Sequence, residues 1–357
     1  MDMSEQVIIE VKDSVGIITL NRPKALNALT LEMIRAISAV LAKWRVDGNI
    51  ESVFLQGQGD RAFCAGGDIK ATYFARINGE AEGAKPEEFA EVYFKEEYDL
   101  DLQLHDFPKP VIAFMEGITM GGGFGLAGPC PYRVICEDSI FAMPEVGIGF
   151  FPDIGAAYTL GKISGYAGWC LGLTGQSIEA PDILYCGLAT HMCERANLDK
   201  LKTHLINEIT DTGDRSIDEA IQDVLDQYNV PFGMAGSIEA HMPLIQMCFS
   251  QPSVTEILDA LHESGDEWAN EQYELMMSRS PTSLLVTFEH MKRCIGGSFA
   301  EVLARDYVLA MSFMQEHDYF EGVRAQVVDK DKNPQWKPKN LHEVTPEMVL
   351  AYFTSMD

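Results

Sequence analysis

Two glycine-rich segments of the sequence carry residue types that could stabilise negative charge on a carbonyl oxygen. Phe63–Asp68 (FCAGGD) follows one predicted strand, and Met120–Gly123 (MGGG) follows a later one. Each segment could leave a bare backbone N–H at the start of a helix, where the helix dipole favours negative charge. Two such N–H groups that converge on one oxygen form an oxyanion hole, and losing one donor typically slows a reaction by about 10²–10³-fold. The pattern therefore indicates chemistry at a carbonyl group.

The second segment continues into a formal match to the dinucleotide-binding pattern G-x-G-x-x-G, at Gly123–Gly128. A dinucleotide-binding domain also needs an acidic residue about 20 positions further on, at the end of the next strand. Glu137 and Asp138 come too early for that role, and Glu145 lies past the strand in a Met-Pro-Glu turn. The match is weak evidence for a dehydrogenase, and close strand–helix packing explains the same glycines.

Other signatures of catalysis are missing from the sequence. There is no G-x-S-x-G segment and no H-E-x-x-H motif, and the eight histidines are scattered. The eight cysteines form no C-x-x-C and no zinc-type spacing, which indicates buried free thiols in a reducing compartment. We therefore expect no metal and no redox cofactor, since backbone donors would serve the oxyanion.

Charge and composition limit the partners and the compartment. Among 357 residues, 27 are basic and 54 acidic, which gives a formal net charge of −27. A surface this acidic repels nucleic acid and anionic membranes, so neither is an expected partner. The start, MDMSEQVIIEVKD, lacks the features of a secretory signal or an Arg-rich transit peptide. The uncharged stretch 117–132 is too short to span a bilayer. A cytoplasmic location is the expectation.

The elements that must position the glycines follow an α/β order. Apolar residues alternate or cluster in short runs, and helical spacing recurs between them. Because strands alternate with helices, we expect an α/β fold with right-handed crossovers. Strands are predicted within 7–20 and at 52–57, 111–117 and 132–136, and helices from about Thr30 and over 86–105.

The second half of the sequence predicts helices. From about 195 to 315 the pattern is one of helices separated by short polar breaks. Ser280 and Pro281 are typical of a helix N-cap followed by proline at the first helical position. Residues 329–344 predict an irregular segment, and a final helix is expected near 345–355.

Three longer blocks of the sequence resemble the crotonase (enoyl-CoA hydratase/isomerase) superfamily. They are FCAGGDI (63–69), KPVIAFMEGITMGGGFGLA (109–127) and FAMPEVGIGFFPDIGAAYTL (141–160), and NRPKALNALT (21–30) fits the family's opening. Within the superfamily the sequence is most similar to the 3-hydroxyisobutyryl-CoA hydrolases. The shared segments are EEY (96–98), SPTS (280–283), HDYFEGVRA (317–325) and DKDKNPQWKP (329–338). The resemblance covers essentially the whole chain.

The resemblance implies a crotonase-type ββα spiral with a helical C-terminal region. Residues 1–195 would form the spiral core with the active site, and 196–357 would complete the pocket for CoA and the acyl chain. The resemblance also implies that the backbone N–H groups of Gly67 and Gly122 form the oxyanion hole for the thioester carbonyl.

For CoA, the resemblance indicates the segment after the first proline, with further contacts from the C-terminal helices. Arg22 and Lys24 are candidate partners for the CoA phosphates, although each could equally be an ordinary exposed cation. The CoA-binding residues implied in this way are Lys24, Ala25, Leu26, Ala65 and Gly67.

Hydratases of the superfamily use two glutamates, and this sequence matches only the second. The first position is Gly125, which has no side chain, and the second is Glu145. Asp153 stands where hydratases typically carry glycine, so one acid–base group is lost and another carboxylate gained. Glu145 can act as covalent nucleophile or as general base on water. One of the two carboxyls should have a raised pKa and could protonate the leaving thiolate, and the sequence does not decide which.

Glu97 matches a glutamate that the hydrolases place near the acyl group, where it can bind a substrate hydroxyl. With Gly122, Glu145 and Asp153 it completes the expected substrate-binding set. The alternative is that Glu97 belongs to the solvated face of a charged helix, FAEVYFKEEYDLD.

The function that the resemblance implies is hydrolysis of a short branched hydroxyacyl-CoA. The best match is 3-hydroxyisobutyryl-CoA plus water giving 3-hydroxyisobutyrate and CoA, a step of valine catabolism. Two alternatives stay open. One is hydration or isomerisation of an enoyl-CoA, which Gly125 disfavours, and the other is a non-catalytic CoA-binding subunit, which the intact glycines and carboxylates disfavour. The expected partner is an acyl-CoA small molecule, and a homo-oligomer is possible.

Overall fold

The computed structural model of the chain describes residues 6–82, 86–231 and 233–354. They divide into two compact units, each of which gathers three segments of the chain. The first unit takes its described residues from Met1–Gly67, Asp99–Phe141 and Ile178–Glu239, and the second from Asp68–Tyr98, Ala142–Ser177 and Ala240–Asp357. These packing units differ from the division at residue 195, because residues 178–239 pack with the N-terminal segments. The assignment of the active site and the CoA pocket to the two sides of that division stays a prediction.

The elements follow one another as repeats of two strands and a helix, as the spiral predicts. Each strand pair is short, and a helical segment separates it from the next pair. In chain order they are β1 (Val7–Lys12), β2 (Val15–Leu20), α1 (Leu31–Val46), β3 (Ser52–Gly57), β4 (Ala62–Cys64), α2 (Ile69–Glu82), α3 (Pro86–His105), β5 (Val111–Met115), β6 (Ile118–Met120), α4 (Gly122–Ala127), β7 (Tyr132–Ile135) and β8 (Ile140–Ala142). Two further short strands are β9 (Ile178–Glu179) and β10 (His191–Met192).

The strands form two sheets. From β3 onward, the two strands of each pair belong to different sheets. The larger sheet has the order β1-β2-β3-β5-β7-β10, and the smaller one β4-β6-β8-β9. β1 and β2 are antiparallel, whereas β2, β3, β5, β7 and β10 pair in parallel. In the smaller sheet β4 and β6 pair in parallel. Because parallel strands end at the same edge of a sheet, the residues after β4 and β6 are brought close together.

Helix α1 shows how local sequence sets an element. Thr30 is its N-cap, and the Thr30 hydroxyl accepts the N–H of Met33 at 3.2 Å, as expected for threonine at this position. One face of the helix, including Ile37, Leu41 and Trp44, is buried. A Cβ atom on Gly16 would lie 2.6 Å from the Trp44 ring, so glycine in β2 permits this close packing.

The larger sheet is covered by helices from the segment 178–239. This segment contains α7 (Ala180–Tyr185), α8 (Leu198–Thr210) and α9 (Ile217–Tyr228), and α10 (Ser237–Ala240) begins at its end. Apolar side chains of α8 and α9 pack in one core with strand residues such as Phe54 and Phe114. The helical character predicted from residue 195 onward is confirmed, although this first part of it belongs to the core of the sheet.

The second unit is helical. Ser280 is an N-cap whose hydroxyl accepts the N–H of Ser283, and Pro281 is the first helical residue, as predicted. The last helix is shorter than the predicted 345–355. The remaining helices are α5 (Ala156–Leu160), α6 (Ala167–Thr174), α11 (Met242–Phe249), α12 (Val254–Glu263), α13 (Glu267–Met277), α14 (Pro281–Cys294), α15 (Phe299–Phe313), α16 (His317–Val323) and α17 (Pro346–Ala351).

The structure bears on three expectations from the sequence: the state of the thiols, contact with membranes and metal binding. All eight cysteines are buried free thiols, as predicted. Among the helices of residues 6–82, 86–231 and 233–354, none combines the length and apolar character that crossing a bilayer requires. The same residues contain no group of three or more histidine, cysteine, aspartate or glutamate side chains placed to hold a metal ion.

Candidate active site

The two glycine segments lie side by side in the first unit. A Cβ atom on Gly66 would lie 3.4 Å from the carbonyl oxygen of Met120 and 3.8 Å from the backbone nitrogen of Gly122. Gly122 is the first residue of α4, and leading N–H groups of a helix have no acceptor within the helix. The fold thus brings together the segments of the two predicted donors, Gly67 and Gly122. Their role as an oxyanion hole stays a prediction.

Close packing of α4 on β4 also requires these glycines. A Cβ atom on Gly123 would lie 2.2 Å from the carbonyl oxygen of Cys64. Gly121 has φ 48° and ψ −128°, a left-handed conformation that glycine adopts without strain. The packing interpretation of the glycines is therefore correct, and it is compatible with a donor role for Gly122.

The predicted CoA-binding residues adjoin the first glycine segment. Lys24 and Ala25 lie in an exposed 3₁₀ turn. The carbonyl oxygen of Leu26 accepts the N–H of Ala65 at 3.0 Å. Arg22 donates through Nη1 to a carbonyl oxygen of its own loop at 2.5 Å, so part of its guanidinium stabilises that loop. Contact of these residues with CoA stays a prediction.

Glu145 begins a short 3₁₀ turn in the second unit, Glu145–Ile148. Its carbonyl oxygen accepts the N–H of Phe150 at 3.0 Å. A Cβ atom on Gly149 would lie 2.1 Å from the carbonyl oxygen of Asp318, so glycine is required for the turn to pack. The Glu145 side chain is 6% exposed, and its Oε2 has no hydrogen-bond partner within the described residues. Leaving a buried carboxyl oxygen without a partner is costly, which is compatible with the catalytic role predicted for Glu145.

Asp153 begins a tight turn in the same unit. Its Oδ2 accepts a hydrogen bond from the hydroxyl of Tyr98 at 2.6 Å, and its carbonyl oxygen accepts the N–H of Ala156 at 2.9 Å. The next two residues, Ile154 and Gly155, have φ values of 56° and 73°. A left-handed conformation is strained for a β-branched residue, so surrounding contacts must hold this turn.

Glu97 joins these carboxyl groups from α3. Its side chain is 3% exposed, and its Oε1 has no hydrogen-bond partner among the residues that the structure describes. The charge of Asp153 acts on Glu97, and the charges of both act on Glu145. The burial of Glu97 therefore contradicts the alternative that its side chain lies on the solvated face of a charged helix. Three predicted site residues form one cluster, which we call the carboxylate cluster: Glu97, Glu145 and Asp153.

Aromatic side chains of the second unit surround the residues next to this cluster. Phe94 stacks on Phe150 with ring centroids 5.6 Å apart. Phe150 also contacts Phe313 and Tyr319, each at 5.3 Å. Phe151 stacks on Phe313 at 5.5 Å. Such packing excludes water from the region in which the carboxyl groups lie.

Burial raises the pKa of each carboxyl in the cluster. Desolvation is the largest cause for Glu97 and Glu145, followed by the charge of Asp153, and both pKa values lie well above the usual range. Desolvation also raises the pKa of Asp153 to about 7, although the hydrogen bond from Tyr98 lowers it. Because like charges in one buried site repel each other, the three groups cannot all ionise near neutral pH.

The space beside Gly125 is filled by a carboxyl group from α3. A Cβ atom on Gly125 would lie 2.8 Å from Oδ1 of Asp101, whose side chain is 1% exposed. The packing of Asp101 therefore leaves no room for a side chain at Gly125, the position that the resemblance matches with the first hydratase glutamate.

A comparison with protein families identifies the chain. The sequence model of the enoyl-CoA hydratase/isomerase family matches residues 15–353. The chain belongs to this family. The predicted membership of this superfamily is thereby confirmed.

Relatives of this enoyl-CoA hydratase/isomerase family member are similar over nearly their full lengths. A human protein named 3-hydroxyisobutyryl-CoA hydrolase, mitochondrial, is 40% identical over 99% of this chain and 90% of its own. A Danio rerio protein of the same name is also 40% identical, with the same coverage. A solved structure of a carnitinyl-CoA dehydratase from Mycobacterium thermoresistibile has a TM-score of 0.88 at 33% identity and covers 99% of this chain and 97% of its own. For an enoyl-CoA hydratase from Rhodobacter sphaeroides 2.4.1 the TM-score is 0.87 at 30% identity, with 98% of each chain covered.

The expected cytoplasmic location is wrong. The human, rat and bovine relatives are all named mitochondrial proteins. The expectation relied on the composition of the first residues and on free thiols. Free thiols argue only against an oxidising compartment, and they do not separate the cytosol from the mitochondrion.

Two residues were missed in the sequence: Tyr98, which contacts Asp153, and Asp101, which lies beside Gly125. Tyr98, the hydrogen-bond donor to Asp153, directly follows Glu97 in the shared EEY segment, and that position could have indicated it. Asp101 follows Glu97 by four residues on α3, a spacing that places both on one helix face. Its proximity to Gly125 depends on tertiary packing and has no signal in the sequence.

Substitution of Gly125 by alanine tests the packing against Asp101. The added methyl group would lie 2.8 Å from Oδ1 of Asp101, so we expect Gly125→Ala to lower the free energy of unfolding by about 1–3 kcal/mol. Denaturant unfolding measures the change. Gly48→Ala is the matched control, because a Cβ atom there has no neighbour within 4 Å. Equal stability of the two variants would contradict the packing account.

The raised pKa of Asp153 predicts a pH-dependent stability difference. The folded-state pKa of about 7 exceeds the reference value of 3.8, so the protonated carboxyl is favoured in the folded chain. Below about pH 4 the carboxyl is protonated in the folded and the unfolded chain, so it costs no stability. As the pH rises from about 4 to about 7, ionisation favours the unfolded chain, and the free energy of unfolding falls. Asp153→Asn should therefore gain stability relative to the wild type over this range, by at most about 4 kcal/mol. Unfolding at a series of pH values measures the gain, and a difference independent of pH would rule out this origin.

Proposed function

We propose that the chain hydrolyses 3-hydroxyisobutyryl-CoA to 3-hydroxyisobutyrate and CoA. Water is the second substrate, the thioester C–S bond breaks, and the leaving sulfur takes up a proton. In an organism that degrades valine, this reaction is a step of that pathway. The curated relatives carry this activity in their names, at 40% identity over nearly the whole chain.

The observation that carries the proposal is the carboxylate cluster together with Gly125. A hydratase of this family needs a glutamate at the position of Gly125, and here Asp101 fills the space. The carboxyl groups of Glu145 and Asp153 instead lie in one buried cluster, with electrostatic coupling between them. Loss of one hydratase group and gain of a second cluster carboxyl supports hydrolysis over hydration.

The cluster supplies both a proton acceptor and a proton donor. Glu145 acts either as nucleophile on the carbonyl carbon, which gives a mixed anhydride that water then cleaves, or as general base on water. Asp153 has a pKa of about 7, so both of its protonation states are populated at neutral pH. It can therefore give a proton to the thiolate, or hold the proton that Glu145 must lose. The hydrogen bond from Tyr98 stabilises the ionised form of Asp153.

Two further groups complete the proposal. Oε1 of Glu97 is buried without a partner in the described part of the chain, which suits a group that binds the substrate hydroxyl. The N–H groups of Gly67 and Gly122 would stabilise the oxyanion, since backbone donors fixed in advance need no reorganisation during the reaction. We assign no metal and no redox cofactor to this reaction.

Hydration of an enoyl-CoA is the second candidate. The solved relatives named carnitinyl-CoA dehydratase and enoyl-CoA hydratase favour it, at 33% and 30% identity. It predicts conversion of crotonyl-CoA without release of CoA thiol, so one pair of assays separates the candidates. A chain that binds CoA but converts neither substrate would instead be a binding subunit.

Kinetics of thiol release test the proposal. We expect the wild type to release CoA from 3-hydroxyisobutyryl-CoA, and Glu145→Gln and Asp153→Asn each to lower kcat by about 10²–10⁴-fold, the usual size of an acid–base contribution. Glu97→Gln should act mainly by raising KM. Glu96→Gln is the matched control, because Glu96 directly precedes Glu97 but is only half-buried. Unchanged CoA release by Glu145→Gln and Asp153→Asn would overturn the assignment of these residues. Hydration of crotonyl-CoA without thiol release would overturn the proposed hydrolysis.

A further inference from the structure

A buried ion pair of the second unit lies outside the groups assigned so far. Nε2 of His290, on α14, lies 2.7 Å from Oδ1 of Asp306, on α15. Their side chains are 1% and 0% exposed. Nδ1 of the same imidazole lies 3.5 Å from the Cys294 sulfur. Burying two charges is costly, so a pair of this kind has to be explained by what it contacts.

Asp306 connects the pair to the Asp153 turn. Its second oxygen, Oδ2, accepts the N–H of Gly155 at 2.8 Å in a buried hydrogen bond. Gly155 follows Asp153 by two residues, across the left-handed Ile154. Because such a strained backbone persists only where its surroundings hold it, the bond from Gly155 to Asp306 contributes to the position of the Asp153 carboxyl.

Helix α15 contacts this turn at a second point. A Cβ atom on Gly155 would lie 2.1 Å from a ring carbon of Phe299, which is also on α15. Phe299 and Asp306 are seven residues apart, so they project from the same face of the helix. The turn is thus fixed by a ring contact and a charged hydrogen bond from one rigid element.

The pair also acts on the charge of Asp153. Burial alone would lower the pKa of His290, but the close contact with the Asp306 carboxylate raises that pKa to about 9. The negative charge of Asp306 raises the pKa of Asp153, and the positive charge of His290 lowers it. The other titratable groups that face Asp153 are Glu97 and Tyr98 on α3, Glu145, and Tyr319 on α16.

We propose that Asp306 and His290 are positioning residues for the hydrolysis proposed above, on which this inference rests. Asp306 holds the Asp153 turn through the N–H of Gly155, and His290 cancels the Asp306 charge so that Asp153 can still ionise. Neither residue is assigned a contact with substrate.

Two substitutions of Asp306 separate positioning from charge. Asp306→Ala removes the acceptor for Gly155, so we expect kcat for CoA release to fall by about 10²-fold with little change in KM. Asp306→Asn keeps an amide oxygen as acceptor, and since His290 then loses its proton, the pair stays neutral. We expect Asp306→Asn to recover most of the lost rate.

The matched control for these variants is Asp182→Ala. Asp182 is a buried aspartate of the first unit that accepts backbone N–H bonds from Ile238 at 3.0 Å and Glu239 at 3.2 Å. Its loss should lower thermal stability without the loss in kcat. The positioning role would be overturned if Asp306→Ala had the kcat of the wild type. It would also be overturned if Asp306→Ala were slow and Asp306→Asn were equally slow.

A titration that needs no turnover tests the charge role of His290. The carboxyl carbon of Asp153 is followed by NMR in protein labelled with ¹³C-aspartate, and it is assigned by its loss in Asp153→Asn. His290→Gln places an uncharged amide opposite Asp306 and removes the positive charge. We expect the Asp153 titration to move upward by on the order of one pH unit.

This titration separates failure of the inference from failure of the proposed function. An unmoved titration in a folded His290→Gln variant would overturn the charge role, whatever the enzyme hydrolyses. If the wild type released no CoA thiol but the titration moved, the proposed reaction would be wrong and the coupling of the pair to Asp153 would stand. If Asp306→Ala did not fold, the Asp306→Asn and His290→Gln variants would still decide each role, through kcat and the titration.

Discussion

Repulsion between buried carboxyl groups is the constraint on which the rest of this structure depends. Glu97, Glu145 and Asp153 lie together where aromatic packing excludes water, and each has a raised pKa. A protein that minimised its free energy alone would not collect three acids in such a place. Because they cannot all ionise, the cluster holds protons at neutral pH, and it loses folding stability as the pH rises. The same property that costs stability supplies the acid and base that thioester hydrolysis needs.

Two turns beside the cluster depend on glycine. Gly149 and Gly155 lie so close to other elements that a Cβ atom on either would meet a neighbour at 2.1 Å. The strained Ile154 between Asp153 and Gly155 is held in turn by α15. Side chains on loops fixed in this way stay in place without help from the substrate. Preorganisation of this kind is what electrostatic catalysis requires, since no energy is then lost in reorienting the groups.

Apolar periodicity predicted most of the strands and helices, because it is a property of short segments. The repeated arrangement and the roles of Glu145 and Asp153 came from the resemblance to the superfamily, which short blocks of sequence carry. The packing units were not predictable, since residues 178–239 return to a sheet built from the start of the chain. Tyr98 lies within a shared motif, so it was within reach of the sequence. His290 and Asp306 were not, because they meet the Asp153 turn only through the packing of α14 and α15.

The most direct test of the central claim is the pH dependence of kcat/KM for release of CoA from 3-hydroxyisobutyryl-CoA, since this ratio reports ionisations of the free enzyme. We expect an ionisation near pH 7 that belongs to Asp153 and is missing from the residual activity of Asp153→Asn. A profile without an ionisation in this range, or the same ionisation in both proteins, would contradict the view that the buried cluster holds the reacting proton.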